Sequence, residues 1–209
     1  MIVIVDYQMG NVASIQNMLR RIGQDSVISA DKGTIDGASK LILPGVGAWD
    51  SGVRNIDSSG LRELLIKKTL QDKTPTLGIC LGMQLLFKRS EEGELPGLGI
   101  LDGELLRFRF NGENHKLKIP HMGWNVVEPH PMSVLFSSFE KGEELKFYFV
   151  HSYYVKCSDL EILSSTVNHG FSFPAAVELN NIYGTQFHPE KSHRFGLNLL
   201  KKFSELRQC

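Results

Sequence analysis

Thr76-Leu-Gly-Ile-Cys-Leu-Gly82 is the segment that indicates the fold class most clearly. Thr76 to Ile79 is a short apolar run, typical of a strand buried on both faces. The apolar residues that follow have helical spacing: Leu81, Leu85 and Leu86. The glycines at 78 and 82 permit a tight turn between the two elements. A strand that turns at once into a helix predicts a parallel α/β sheet, with Cys80 at the carboxyl end of a strand.

The segments before this stretch repeat the alternation of buried strand and amphipathic helix. Buried strands are predicted over residues 2–5 and 41–43. Asn11 can cap a helix that Gly23 ends, with an apolar face of Val12, Ile15, Leu19 and Ile22. A second helix is marked by Leu61, Leu64, Leu65 and Leu70. Such alternation indicates right-handed crossovers between parallel strands.

The second half of the chain has a different pattern. Strands are predicted over 105–110, 147–155, 175–179 and 182–187, linked by turns that contain Gly or Asn. A last helix turns Phe195, Leu199, Phe203 and Leu206 inward. We therefore expect an α/β fold, with a mostly parallel central sheet flanked by helices and an antiparallel elaboration in the second half. With no linker or repeat in the sequence, residues 1–209 are predicted to form a single domain.

The composition narrows the class of protein. The 209 residues include 23 Lys plus Arg and 23 Asp plus Glu, so the basic excess of many nucleic-acid binders is missing. The cysteines at 80, 157 and 209 are odd in number and irregularly spaced, which favours free thiols in a reducing compartment. The amino terminus lacks the pattern of a signal peptide, and no apolar run has membrane-spanning length. We expect a cytoplasmic protein without a membrane or nucleic-acid partner.

Cys80 is the candidate nucleophile. Gly-x-Cys-x-Gly between a strand and a helix is the sulfur counterpart of a nucleophile elbow. The turn leaves room for substrate near the backbone, and the adjacent helix N-terminus favours thiolate over thiol. The alternative is a buried core cysteine, which is the usual place of a free Cys.

A cysteine nucleophile needs a base, and His188-Pro-Glu190 can supply it. His188 can take the thiol proton and return it to a leaving amine, while Glu190 fixes the imidazole tautomer. Alone, these two residues would be read as an ordinary surface His and Glu. Together with the cysteine turn they predict a catalytic triad.

Acyl chemistry also needs donors for a developing oxyanion. The amide of Leu81 follows the nucleophile directly. Pro44-Gly-Val-Gly47 lies at the end of a neighbouring predicted strand and can present the amide of Val46. A Pro-Gly-x-Gly sequence is often no more than a turn, so its position is what supports the role.

With these motifs the sequence resembles the class I (triad) glutamine amidotransferases, which have a flavodoxin-like core. The resemblance rests on Gly78 to Gln84 and on His188-Pro-Glu190. Further segments, spread over essentially the whole chain, are similar to the glutaminase subunits of imidazole glycerol phosphate synthase: residues 6–11, 43–48, 97–100, 120–125, 149–153 and 186–192.

The resemblance implies a reaction and a partner. L-Glutamine would be hydrolysed through a thioester on Cys80, without cofactor or metal. The ammonia would pass to a (β/α)8-barrel cyclase subunit in a heterodimer. There it would react with a ribulosyl aminoimidazole carboxamide nucleotide in histidine biosynthesis, giving imidazole glycerol phosphate and a purine precursor.

The resemblance also implies roles for individual residues. Gly47 joins Val46 and Leu81 in the oxyanion hole. The glutamine-binding positions are Gly45, Gln84, Ser152 and Tyr153, although Ser152 and Tyr153 also suit ordinary strand positions. The positions at the partner interface are Asn11, Met122, Trp124 and Lys191, although core packing is the alternative for Trp124.

The sequence departs from the family pattern at a few positions. Gln8 stands where glycine is usual, in a loop near the expected partner surface. His193 and Phe195 are more similar to a paralogous group, in which the ammonia serves the synthesis of acetamidino sugars of surface polysaccharides. Two other classes remain open at this point: a docking subunit without activity, and another hydrolase on the same scaffold.

Overall fold

The computed structural model describes residues 1–110, 112, 116–157 and 160–206. Cys209, one of the three predicted free thiols, lies outside them. The strands are β1 Ile2–Val5, β2 Ser26–Ser29, β3 Lys40–Leu43, β4 Thr76–Ile79, β5 Arg89–Ser90, β6 Glu104–Arg107, β7 His121–Pro129, β8 Leu145–His151, β9 Tyr153–Lys156, β10 Leu163–Asn168, β11 Ser172–Leu179 and β12 Ile182–Thr185. The helices are α1 Val12–Arg21, α2 Lys32–Asp36, α3 Trp49–Ser58, α4 Arg62–Ile66, α5 Leu81–Gln84 and α6 His193–Glu205.

Most strands join one large sheet. Its order is β2-β1-β3-β4-β12-β11-β10-β7-β8, and the pairs from β2 to β12 are parallel. The pairs from β12 to β8 are antiparallel. The prediction of a mostly parallel α/β sheet with an antiparallel second half is confirmed.

Strands β1 and β4 are covered on both faces, since every residue of each is buried; Thr76, the polar residue among them, donates a hydrogen bond from its hydroxyl to the Thr74 carbonyl at 3.0 Å. Alternate residues point to opposite sides. Ile2 and Ile4 join the core beneath α1 and α6, whereas Val3 and Val5 join the core beneath α3 and α4. Both helical layers leave the carboxyl ends of the parallel strands open.

Helix α1 has the predicted bounds and caps. The Asn11 side chain accepts a hydrogen bond from the Ser14 amide at 3.1 Å. Gly23 follows the helix with a φ of 73°, a left-handed conformation that glycine adopts easily. Helix α4 covers the predicted leucine segment and continues as a π-helical turn over Lys67–Gln71.

Three predictions for the second half are wrong in detail. The strand predicted over 105–110 is β6, Glu104–Arg107, and residues 108–110 are not part of it. The segment 147–155 is not one strand: Ser152 interrupts it, and β8 and β9 belong to different sheets. β9 pairs with β6 in a small sheet of order β5-β6-β9. The strand predicted over 182–187 ends at Thr185, so Gln186 to His188 form the loop that leaves the sheet.

No helix among the described residues has the length and apolar character required to cross a membrane. In the same ranges, no group of three or more His, Cys, Asp or Glu side chains is arranged to hold a metal ion.

Candidate active site

Cys80 occupies a strained turn between β4 and α5. Its φ is 52° and its ψ is −110°, a conformation that a residue with a side chain rarely adopts. The Cys80 amide donates a hydrogen bond of 2.7 Å to the Thr185 carbonyl at the end of β12. Gly82 allows the turn to pack against the neighbouring strand, because a Cβ there would lie 1.8 Å from the Leu43 carbonyl oxygen. The predicted elbow is therefore present in the structure.

Helix α5 is shorter than the sequence predicts. It has four residues, Leu81–Gln84, and Leu85 is its C-cap. A single turn has few aligned peptide dipoles, so the expected contribution of the helix to the thiolate is smaller than that of a full helix.

His188 and Glu190 form a buried pair next to Cys80. Nδ1 of His188 lies 2.7 Å from Oε1 of Glu190, and the two side chains are 1% and 2% exposed. The His188 amide donates to the Tyr148 carbonyl at 2.9 Å, and the Ser192 hydroxyl donates to the His188 carbonyl at 2.6 Å. These backbone contacts hold the imidazole in place after the strand has ended.

The surroundings of His188 favour its charged form. Burial opposes the charge, but contacts with Cys80 and Glu190 outweigh burial and raise the pKa of His188 to about 10. Nε2 of His188 makes no hydrogen bond to any described residue, so this nitrogen is open on the side of the thiol. Such an arrangement favours a thiolate–imidazolium pair.

A cavity of about 260 Å³ opens beside the thiol. Most of the residues predicted for substrate and oxyanion binding line it: Val46, Gly47, Leu81, Gln84, Ser152 and Tyr153. Gly45 is outside the lining, because it packs beneath the loop where a Cβ would lie 2.5 Å from the Gly82 nitrogen. Gly45 is buried and allows the two loops to approach each other.

The loop that contains Val46 and Gly47 is anchored by Tyr7. The buried Tyr7 hydroxyl donates a hydrogen bond to the Pro44 carbonyl, and burial together with the nearby Cys80 raises the pKa of Tyr7 far above its usual value. The amides of Val46, Gly47 and Leu81 donate no hydrogen bond to any described residue. Free amides beside a nucleophile have the chemistry of an oxyanion hole.

The sequence did not single out Glu92 as a functional residue. Its carboxylate accepts a hydrogen bond of 3.2 Å from the Trp49 amide, and it is the one acidic residue in the described lining of the cavity. Burial raises the pKa of Glu92, an effect that the Trp49 amide partly offsets. Glu92 lies in an acidic pair, Glu91-Glu92, that looks like a solvated surface in the sequence.

The predicted partner residues are all exposed, and Trp124 and Lys191 both lie against the ring of Tyr148. Met122 and Trp124 are 62% and 47% exposed, so core packing is excluded for Trp124. The Trp124 indole stacks on the His193 ring with 5.3 Å between centroids, and Lys191 Nζ lies 5.5 Å from the centre of the Tyr148 ring. Asn11, also exposed, begins α1, which packs against the 3₁₀ turn Pro189–Lys191.

Gln8 has a φ of 64°, so the conformation explains why glycine suits this position in the family pattern. The side chain of Gln8 is exposed, and the chain tolerates the left-handed conformation there. The Gln8 amide donates to the Asp6 carboxylate at 3.0 Å, which stabilises this turn.

Known proteins share both the sequence and the fold. The family model described as "Glutamine amidotransferase class-I" matches residues 3–205. The imidazole glycerol phosphate synthase subunit HisH 2 of Methanococcus maripaludis is 50% identical over 203 residues, covering 97% of this chain and 98% of that protein. The subunit of the same name from Pseudomonas aeruginosa is 46% identical over 206 residues, covering 99% and 100%.

A solved structure described as a glutamine amidotransferase superposes with a TM-score of 0.72. It is 18% identical and the match covers 97% of this chain and 98% of that chain, which supports the fold alone. The fold and the sequence place this chain in the class-I glutamine amidotransferase family. Within that family it belongs with the HisH proteins, the glutaminase subunits of imidazole glycerol phosphate synthase. The predicted family, fold class and enzyme class are confirmed.

Proposed function

We propose that Cys80, His188 and Glu190 form the triad with which this glutaminase hydrolyses L-glutamine, and that the ammonia passes to a cyclase subunit. The observation that carries the proposal is the position of the thiol. Cys80 lies beside the buried His188–Glu190 pair and at the edge of a cavity lined by unbonded amides.

The reaction follows from this geometry. The Cys80 thiolate attacks the side-chain carbonyl carbon of glutamine, and the carbonyl oxygen takes negative charge that the amides of Val46, Gly47 and Leu81 stabilise. His188 gives its proton to the nitrogen, the C–N bond breaks, and ammonia leaves a thioester on Cys80. His188 then takes a proton from water, the hydroxide attacks the thioester, and glutamate leaves as the C–S bond breaks.

The cavity also suits the amino-acid end of the substrate. Glu92 offers a carboxylate to the α-ammonium group. The backbone at Ser152 and Tyr153, where the chain passes from β8 to β9, faces the same cavity and suits the α-carboxylate. The Gln84 side chain is buried in the lining and completes the site.

The partner proposal rests on the exposed side chains of Met122 and Trp124 in β7, a strand in which Met122 pairs with the cavity residue Val150. An exposed Trp next to an exposed Met is typical of an interface anchor. Lys191 lies one residue after the triad carboxylate, so a partner bound there would be close to the ammonia. Enclosure by the barrel subunit would keep ammonia from being protonated and lost in solvent.

Reconstitution tests this function. The chain is mixed with a barrel cyclase and the aminoimidazole carboxamide nucleotide, with glutamine labelled with ¹⁵N in the side-chain amide. We expect ¹⁵N in the imidazole product even when unlabelled ammonium is added to the solution. Product formed only from the added ammonium would contradict transfer between the subunits.

A trial with Trp124→Ala tests the interface in the same mixture. The variant is expected to weaken binding of the barrel subunit by roughly tenfold or more, as for a buried aromatic anchor. Met132→Ala is the control, because Met132 is 81% exposed and lies beyond the opposite end of β7. Equal affinity of the two variants would place the interface elsewhere.

One observation supports an alternative ammonia acceptor, in acetamidino-sugar synthesis instead of histidine biosynthesis. His193, one of the residues that depart from the histidine-pathway pattern, stacks directly on Trp124 in the proposed interface. A different barrel partner, in a synthase for acetamidino sugars, would meet a different surface here. Growth of a histidine auxotroph that lacks the glutaminase subunit distinguishes the two: rescue supports the histidine pathway, and failure with a soluble active chain supports the sugar pathway.

A further inference from the structure

Gln186 is a buried polar residue that the triad mechanism leaves without a role. It follows β12 directly, two residues before His188, and its exposed fraction is 0%. The backbone N–H of Gln186 donates a hydrogen bond of 2.8 Å to the Ala175 carbonyl. A side-chain amide so far from water is costly unless both of its ends are bonded.

Both ends of the Gln186 side chain have partners. Its Oε1 accepts a hydrogen bond of 3.0 Å from Nε2 of Gln84. Its Nε2 lies 3.7 Å from the sulfur of Cys80 and donates to it. The side chain therefore spans the space between a substrate-binding residue and the nucleophile.

The direction of these hydrogen bonds is determined by the backbone. The Tyr153 carbonyl can only accept, and it lies 3.4 Å from Nε2 of Gln84. Gln84 must therefore turn its NH₂ group toward both Tyr153 and Gln186. Gln186 then presents its oxygen to Gln84 and its NH₂ group to Cys80.

A donor in this position acts on the charge of the sulfur. An N–H group bonds more strongly to a thiolate than to a thiol, because the acceptor is charged. The Cys80 thiol has a weaker alternative, a contact of 4.0 Å to the Val150 carbonyl, which only the protonated sulfur can use. His188 removes the proton of the Cys80 thiol, and the side-chain amide of Gln186 donates a hydrogen bond to the resulting thiolate sulfur.

We infer that Gln186 is a further catalytic residue, which stabilises the Cys80 thiolate before the attack on glutamine and again when the thioester breaks. The inference rests on the proposed role of Cys80 as nucleophile. In the second step the C–S bond breaks and its electron pair returns to sulfur, so the same donor assists the departure of the thiolate. The sulfur is thereby served by a neutral amide donor, Gln186, in addition to the His188 base.

Alkylation of Cys80 tests the inference without glutamine turnover. The full chain is treated with iodoacetamide over a range of pH, and the peptide that carries Cys80 is measured by mass spectrometry. We compare the wild type with Gln186→Met, which keeps the length without the donor, and with Gln186→Glu, which keeps the shape. Thr185→Val is the matched control, because it removes the neighbouring buried hydrogen bond of 3.1 Å to the Phe187 carbonyl.

The pH of half-maximal alkylation should rise by about one unit in Gln186→Met, which is about tenfold slower alkylation below the midpoint. It should rise further in Gln186→Glu, where a carboxylate faces the sulfur, and stay unchanged in Thr185→Val. A Gln186→Met midpoint equal to that of the wild type overturns the inference. Equal shifts in Gln186→Met and Thr185→Val also overturn it, since they would indicate a packing effect.

The Gln186→Glu variant keeps the test decisive if Gln186→Met does not fold, because its side chain fills the same volume. Failure of the proposed glutaminase function can be distinguished from failure of the inferred role of Gln186. Ammonia release by Cys80→Ala contradicts the proposed function, whereas an unmoved midpoint in a chain whose Cys80 is active contradicts only the role of Gln186.

Discussion

Nδ1 of His188 lies 2.7 Å from Oε1 of Glu190, and both side chains are shielded from water. This distance makes Glu190 the group that orients the imidazole and stabilises its charge. Because Nδ1 is engaged, Nε2 is the nitrogen available to the thiol. The pair has consequences for stability as well as for catalysis.

Glu190→Gln should reduce stability in a pH-dependent way. The folded-state pKa of His188 is raised to about 10, above its ordinary value of 6.5. The stabilisation from its charge is therefore complete below about pH 6.5 and is lost as the pH rises toward 10. We expect the difference in unfolding free energy between wild type and Glu190→Gln to shrink over that range in urea titrations. A difference that grows with pH would contradict the charged pair.

Two other buried histidines, His121 and His151, should give the stability the opposite pH dependence. Burial lowers the pKa of His121 to about 4, and burial lowers the pKa of His151 to about 3 despite its contact with the Tyr153 carbonyl. Their ring nitrogens are 2.9 Å apart, and His169 and His188 are the other titratable groups near them. Both are neutral in the folded state at pH 6.5, so stability is present above that pH and is lost as the pH falls.

His151→Gln tests this acid sensitivity. Without the His151 imidazole, the unfolded chain binds one proton fewer below pH 6.5. The slope of unfolding free energy against pH in that range should therefore fall by about 1.4 kcal/mol per pH unit. Urea midpoints between about pH 4.5 and 6.5 measure the slope. His130→Gln, at an exposed position, is the control. The same slope in His151→Gln and wild type would mean that His151 is already charged in the folded protein.

Tyr7→Phe should lower kcat. The change removes the hydrogen bond that holds the Pro44 carbonyl, so the amides of Val46 and Gly47 lose their fixed position. We expect a loss of roughly tenfold, smaller than the 10²–10³ that follows from removal of an oxyanion donor itself, with little change in KM. Steady-state ammonia release in the presence of the barrel partner gives both constants.

Tyr183→Phe is the matched control for Tyr7→Phe. Its hydroxyl donates to the Asn180 carbonyl at 3.0 Å, at the end of the sheet opposite to Cys80. An equal loss of kcat in the two variants would show that Tyr7 has no particular influence on the oxyanion loop.

Glu92→Gln should weaken glutamine binding. Without the carboxylate the α-ammonium group loses an ionic partner, which corresponds to a rise in KM of about tenfold or more. In the wild type the KM should also rise as the pH falls toward the raised pKa of Glu92, because protonation removes its charge. Glu91→Gln is the control, since Glu91 binds Arg109 at 2.8 Å outside the cavity. Equal KM values for Glu92→Gln and wild type would exclude this contact.

The parallel strands β1, β3 and β4 were predictable because they are short apolar runs between amphipathic segments. The parallel strand β2 was missed because its four residues, Ser26–Ser29, are only half-buried and include two serines. The break at Ser152 was not predictable, since seven of the nine residues in 147–155 are Phe, Tyr or Val, which favour strands. That segment divides because β8 finds its partner in β7 and β9 finds its partner in β6, and these pairings depend on distant parts of the chain. Helix α3 was missed because polar residues and Gly52 hide the spacing of Trp49, Val53 and Ile56.

In the site, too, residues in short sequence motifs could be predicted, and residues defined by contacts with distant parts of the chain could not. Cys80, His188 and Glu190 lie in short motifs whose chemistry can be read from the residues themselves. Glu92 and Gln186 are defined by contacts with residues far along the chain, Trp49 for the first and Gln84 and Cys80 for the second. A local pattern cannot show such contacts, so the roles proposed for Glu92 and Gln186 could be inferred only from the three-dimensional structure.

The most direct test of the account is glutamine hydrolysis by Cys80→Ala in the presence of the barrel partner. The wild type and the variant are compared for ammonia release and for thermal unfolding. We predict that the variant folds as the wild type does and that its ammonia release falls to the uncatalysed background. A folded Cys80→Ala protein that still releases ammonia from glutamine at a rate near that of the wild type would contradict the account.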